Sequence, residues 1–166
     1  RDLIRPFPRS SIAGETEYAF WHVLTRDVAY AALPRASRAA RHVAAAQWLE
    51  RQAGERVEDQ ADVLAHHYAT ALELSRASGD TARAFELEAP AFRFLSLAGE
   101  RSIGLDAAGA LPNFERALAL VPEGHPERAA ALVRFGEAAY HASRYRESTT
   151  ALEEAIASFN DRGDIQ

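Results

Sequence analysis

Cysteine and lysine are both missing from the 166 residues. Without cysteine there can be no disulfide, no thiolate metal site and no cysteine nucleophile, which fits a reducing compartment and makes the cytoplasm the expected location. Without lysine a phosphate loop of the GxxxxGK[ST] type cannot be completed, so any nucleotide site would lie outside this chain. All 19 basic residues are arginine, a bias read as that of a GC-rich coding genome, since arginine can serve lysine's surface roles. Long apolar runs are also lacking. None approaches the roughly 20 residues of a membrane span, and the opening RDLIRPFPRSS has no apolar centre like that of a signal peptide. A membrane is therefore not an expected partner. Nor is a nucleic acid, because a net charge of -5 leaves no general basic excess for phosphates.

Glycine (9), proline (7) and aromatic residues (9%) are scarce as well, and alanine is the commonest residue, so intrinsic propensity favours helix almost throughout. An all-α fold is expected, long enough to bury roughly 70% of its unfolded surface. Pro6 and Pro8 make residues 1 to about 15 extended or irregular. Tyr18, Phe20 and His22 then alternate as in a short strand, whose partner is expected upstream of this chain. Helical spacing begins at Val23 (Leu24, Val28, Ala31) and stops at Pro34. Further helices are expected from Pro34–Ser37 to Gly54, with His42, Ala45, Ala46, Leu49 and Ala53 in one stripe, and from about Val57 to Ser78. A short helix from Thr81 to about Ala89 precedes a Pro90-initiated helix to about Ile103. The last three run from Asp106 to Val121, Glu127 to Ala142 and Arg144 to about Asn160. Connections this short imply antiparallel neighbours.

Catalytic constellations are not evident: there is no GxSxG elbow or Ser-Lys pair, and the acids are scattered over polar helix faces. A metal site and a cofactor are likewise not expected, because His66 and His67, being adjacent, point to different faces of one helix, and no HExxH or i,i+4 histidine pair occurs. Arg35, Arg38 and Arg41 form a basic run with Arg26 nearby. It reads either as a contact for phosphate or an acidic partner, or as a solvated face paired with Asp27 and other acids.

The last four helices repeat. Ala110, Phe114, Ala117 and Pro122 recur as Ser148, Leu152, Ala155 and Asn160, and Phe94, Leu97 and Ala98 as Leu132, Phe135 and Gly136, all at an offset of 38 residues. Small residues such as Ala98 and Gly136 would let paired helices approach closely, while Phe114 and Leu152 would fill the groove to the next pair. The pattern resembles the tetratricopeptide repeat, best in Leu132, Gly136, Tyr140, Tyr145, Ser148, Leu152 and Ala155. It departs in lacking the usual first-helix tryptophan and in a longer interval than the family's ~34 residues. The resemblance implies stacked antiparallel helix pairs in a right-handed α-solenoid over residues 55–166, clearest at 91–124 and 129–162. Its groove would bind a protein or peptide, and its uncapped end at Gly163–Gln166 could support self-association.

A second resemblance covers residues 17–50. Phe20, His22, Leu24, Arg26, Asp27, Ala29, Tyr30, Arg41, His42, Leu49 and Glu50 occupy the places of a segment that follows the ATPase core in bacterial STAND-type ATPases. These include the predicted ATPases fused to class III adenylate or guanylate cyclases and the LuxR-type regulators. By that resemblance residues 1–54 would close a winged-helix subdomain, with the ATPase domain of the same parent as a partner, and His22 would stand where relatives sense the nucleotide's phosphate. The function implied is non-catalytic interaction and regulation in a cytoplasmic signalling ATPase, with a DNA-binding regulator fragment as the alternative.

Overall fold

The structure, a computed structural model, describes residues 3–10 and 14–162. The expected C-terminal face at residues 163–166 lies outside the described residues, as do Arg1, Asp2 and residues 11–13. The element order is β1 (Ile4–Pro6), β2 (Tyr18–Phe20), α1 (Val23–Ala31), α2 (Arg35–Ala53), a 3-10 stretch (Gly54–Gln60), α3 (Ala61–Ala77), α4 (Thr81–Ile103), α5 (Ala107–Leu118), α6 (Arg128–His141) and α7 (Tyr145–Arg162). The described chain is thus mostly helical, with helices packed against one another and one two-stranded sheet.

The strand's partner lies within the chain, which corrects the expectation that it lay upstream. β1 pairs antiparallel with β2 in the register Ile4 to Phe20 and Pro6 to Tyr18. Pro6 is tolerated because it lies opposite Tyr18 between the hydrogen-bonding positions Arg5 and Phe7, where an N–H would point away from β2. The amides of Phe7 and Trp21 extend the pairing to the carbonyls of Glu17 and Leu3.

Two helix boundaries also move. Residues 54–60 form a 3-10 stretch with non-helical angles at Arg56, so α3 starts at Ala61 rather than near Val57. Thr81–Ile103 is one helix that runs through Pro90, not two. Proline removes an N–H and its ring crowds the preceding turn, a cost of ~3 kcal/mol in a helix interior. The helix continues because the buried residues Ala84 and Leu87 before Pro90, and Ala91, Phe94 and Leu95 after it, lie on one packed face.

Chain reversals follow local chemistry. Gly79 (φ 76°) ends α3 with paired bonds from Gly79 N to Arg76 O and Asp80 N to Ser75 O, and Asp80 then caps α4 by accepting from the Arg83 amide. The same motif closes α6, but Ser143 takes the left-handed angle (φ 61°) that glycine usually supplies, with the Ser143 amide donating to the Tyr140 carbonyl and the Arg144 amide to the Ala139 carbonyl.

Each helix from α2 onward packs on the next, and α4 also touches α6. The largest apolar cluster joins α2 (Ala46), α3 (Leu64, Tyr68, Leu72) and α4 (Leu87, Phe94, Leu95), so packing continues across residue 54. Tyr68 stacks on Phe94 with centroids 5.5 Å apart and donates a hydrogen bond to Glu50 of α2 at 2.9 Å. Smaller clusters join α5 to α6 and α6 to α7. Half-buried Arg128 ties these ends together through Glu154 at 2.6 Å and the Val121 carbonyl at 2.8 Å.

Candidate functional site

The residues expected to pack the repeats divide by environment. Phe94, Ala98, Ala110, Phe114, Ala117, Leu132, Gly136, Ser148 and Ala155 are buried. Members related by the 38-residue offset share burial, with one exception: Phe114 is 1% exposed and its counterpart Leu152 is 37% exposed. Tyr140 and Tyr145, also expected in the packing, are exposed and meet edge to face at 5.6 Å. Among the described residues no further helix follows α7 to cover Leu152.

The close contact of the first pair falls one position from the expected Ala98. A Cβ on Gly99 would lie 2.7 Å from the Phe114 ring, whereas a Cβ on Gly136 would lie 2.9 Å from Leu152. Ala98 instead joins the cluster that α4 shares with α3.

Two surfaces carry chemistry. The first is a groove of about 990 Å³ along α4 and the α5–α6 connection. Its apolar part comes from Phe85, Phe92, Leu97, Leu120, Val121 and Pro122, and Phe85 is 78% exposed. Five glutamates line it (58, 86, 88, 100 and 127), against Arg93 and His125. Glu88 and Glu100 are also held by Arg76 and Arg134, at 2.7 and 3.3 Å. The groove is therefore apolar with an acid excess. Its aromatic residues recur along one face of α4, but reading Thr81–Ala89 as a separate helix hides that face in the sequence.

The second surface lies between α2 and α3. His42 of α2 meets both His66 and His67 of α3, with ring centroids 5.7 and 5.1 Å away. Pointing to different faces of α3 does not keep the two apart from a common partner: adjacent helical residues diverge by only ~100°, so both reach His42 lying between their directions. His42 Nδ1 and His67 Nδ1 are 2.8 Å apart, and the Tyr30 hydroxyl lies 2.8 Å from His42 Nε2. His66 is exposed, while His42 and His67 are half-buried. The signal that could have found the group was His42 in the buried stripe of α2, since a stripe residue must face the next helix.

Burial, with the neighbouring His42 and His66, pushes the His67 imidazole down to about 4. Burial, His66 and Arg38 lower His42 as well. Between roughly pH 6.5, the ordinary histidine value, and pH 4, the unfolded chain therefore binds more protons than the folded one. The stability that neutral His67 contributes is complete above that range and falls away as pH drops through it. In chelator, the unfolding midpoint should fall from pH 7 to pH 4.5 more steeply in the native chain than in His67→Gln; equal slopes would exclude this cause.

The arginines of the run have different surroundings. Arg38 is half-buried with its guanidinium 5.0 Å from the Tyr30 ring centre, while Arg35 and Arg41 are exposed, and Arg26 pairs with Asp27 at 2.8 Å. His22 sits exposed at the start of α1, where its carbonyl accepts from the Thr25 and Arg26 amides. No helix among the described residues is long and apolar enough to cross a membrane. No protein-family model, curated protein or solved structure matches this chain.

Proposed function

We propose that the chain is a non-catalytic interaction scaffold whose α4 groove binds a basic peptide segment carrying apolar anchors. The observation that carries this reading is the groove itself, an apolar trough with exposed Phe85 at its edge and glutamates in excess over basic groups. Aromatic residues in a concave surface supply most of the energy in peptide recognition, and complementary charge sets partner and register. On this reading the helix pairs form a right-handed tetratricopeptide-like solenoid. The contact of α4 with α6 and the matched burial at the 38-residue offset support it.

The parent would be a cytoplasmic STAND-type ATPase linked to an adenylate or guanylate cyclase, supported by the resemblance of residues 17–50. The peptide could then belong to another domain of that parent or to a separate protein. The DNA-binding alternative gains nothing from α1, whose one arginine is neutralised by Asp27.

Peptide-display selection on the purified chain tests the proposal. Enriched sequences should combine arginine or lysine with leucine or aromatic residues and bind more weakly as salt rises. Phe85→Ala should weaken the best binder by more than 1 kcal/mol, about fivefold or more. Acidic consensus peptides, or binding indifferent to both Phe85→Ala and Glu86→Arg, would reject the groove.

A further inference from the structure

Outside the α4 groove, the described residues hold one group whose composition is that of a ligand set. His42, His66 and His67 each offer a ring nitrogen, and the three nitrogens lie within 4.8 Å of one another. We propose that these histidines bind one divalent transition-metal ion of the zinc type, bridging α2 to α3. The proposal stands apart from the peptide groove and does not depend on it.

The donor set selects the ion class. Three imidazoles without a carboxylate suit zinc, copper(II), nickel or cobalt, whereas calcium and magnesium require oxygen ligands. Bonds of about 2.0–2.1 Å in tetrahedral array place ligand nitrogens ~3.3–3.4 Å apart. The His42–His67 nitrogens at 2.8 Å must therefore open by about half an ångström, and His66 must draw inward, both within reach of side-chain rotation. Contact at 2.8 Å between two Nδ1 atoms requires a shared proton, and the cation would replace that proton between the same lone pairs.

Tyr30 completes the arrangement. With His42 Nδ1 on the ion, its Nε2–H donates to the Tyr30 hydroxyl 2.8 Å away, fixing the tautomer and ring orientation that ligation needs. The ion would thereby also fasten the end of α1, which contributes no buried residue of its own, to the α2–α3 pair. Exposed His66 sets the entry side, so a fourth position would face solvent and could take water or a donor from a bound partner.

The test uses the untagged chain, stripped with chelator and titrated with zinc chloride by calorimetry at pH 7.5 in a non-coordinating buffer. One ion per chain is expected, together with a raised unfolding midpoint and visible cobalt(II) bands when cobalt replaces zinc. Tyr30→Phe should weaken binding ~10–100-fold, and His66→Ala and His67→Gln by more than that. His66 is exposed, so His66→Ala should keep the helix content and unfolding midpoint of the metal-free protein. Failure to bind one equivalent, or retention of native affinity by either histidine variant, overturns the proposal and directs any bound zinc to His22, His125 or His141.

Discussion

Replacing Phe94 with alanine should lower the free energy of unfolding by about 3–5 kcal/mol, the range for truncating a fully buried aromatic ring. Phe94 is 0% exposed and lies where α2, α3 and α4 share one apolar cluster. Its ring stacks on Tyr68 at an interplanar angle of 2°, and Tyr68 holds Glu50 on α2. Truncation would therefore open a cavity and loosen the tyrosine whose hydroxyl ties α3 to α2. Against a typical stability of about 5–15 kcal/mol, such a loss leaves a marginal fold. Urea titration followed by circular dichroism measures it, with the slope unchanged if the transition remains two-state. Phe94→Leu, which keeps most of the volume, should cost much less. A loss below about 1 kcal/mol for Phe94→Ala would mean the cluster collapses around the gap and does not organise the fold.

The helices were legible in the sequence where a local signal decided them. Pro34 and Gly54 bound α2, Gly79 and Asp80 turn α3 into α4, and Asp106 opens α5 by accepting from the Gly109 amide. What escaped depended on contacts between distant residues. Pro90 is a breaker by every local rule, yet Leu87 and Phe94 are buried on either side of it. The β1–β2 pairing joins Ile4 to Phe20, beyond the range of a turn signal. At the candidate sites, sequence position alone could not show that His42 meets a histidine pair 24 and 25 residues later. Nor could it show that Phe85 and Phe92 line one trough with residues of the α5–α6 connection.

The histidine group lies between α2 and α3 and the Tyr68–Phe94 stack between α3 and α4, and the two hold α3 in different ways. Phe94 and Tyr68 join α4 to α3 through buried apolar area. The histidines respond to what surrounds them: protons weaken the contact, and an ion would strengthen it. With the proposed ion, such a linkage would let the junction between α1 and the helical array respond to metal without repacking the α3–α4 core.

The two glycine contacts should respond to the same substitution with opposite sign. At Gly99 a new Cβ would fall 2.7–2.9 Å from three ring atoms of Phe114, which is 1% exposed and has no room to swing away. Helix propensity would return up to ~1 kcal/mol, but overpacking a closed site costs about 1–3 kcal/mol, so Gly99→Ala should destabilise by ~1 kcal/mol. Gly99→Leu, with three further carbons to place, should cost about 3 kcal/mol or more. At Gly136 the corresponding clash, at 2.9–3.0 Å, is with Cγ and Cδ2 of Leu152, a residue 37% exposed that can rotate toward solvent, and the Ser148 carbonyl oxygen stands clear at 3.4 Å. There the propensity gain should prevail, and Gly136→Ala should be neutral or stabilising by up to ~1 kcal/mol. Chemical denaturation of the two alanine variants reads the difference directly. A double-mutant cycle pairing Gly99→Ala with Phe114→Leu should recover part of the loss, with a coupling of about 0.5–3 kcal/mol. Equal effects at Gly99 and Gly136, or no coupling to Phe114, would show that glycine serves backbone flexibility at these positions and not close approach between helices.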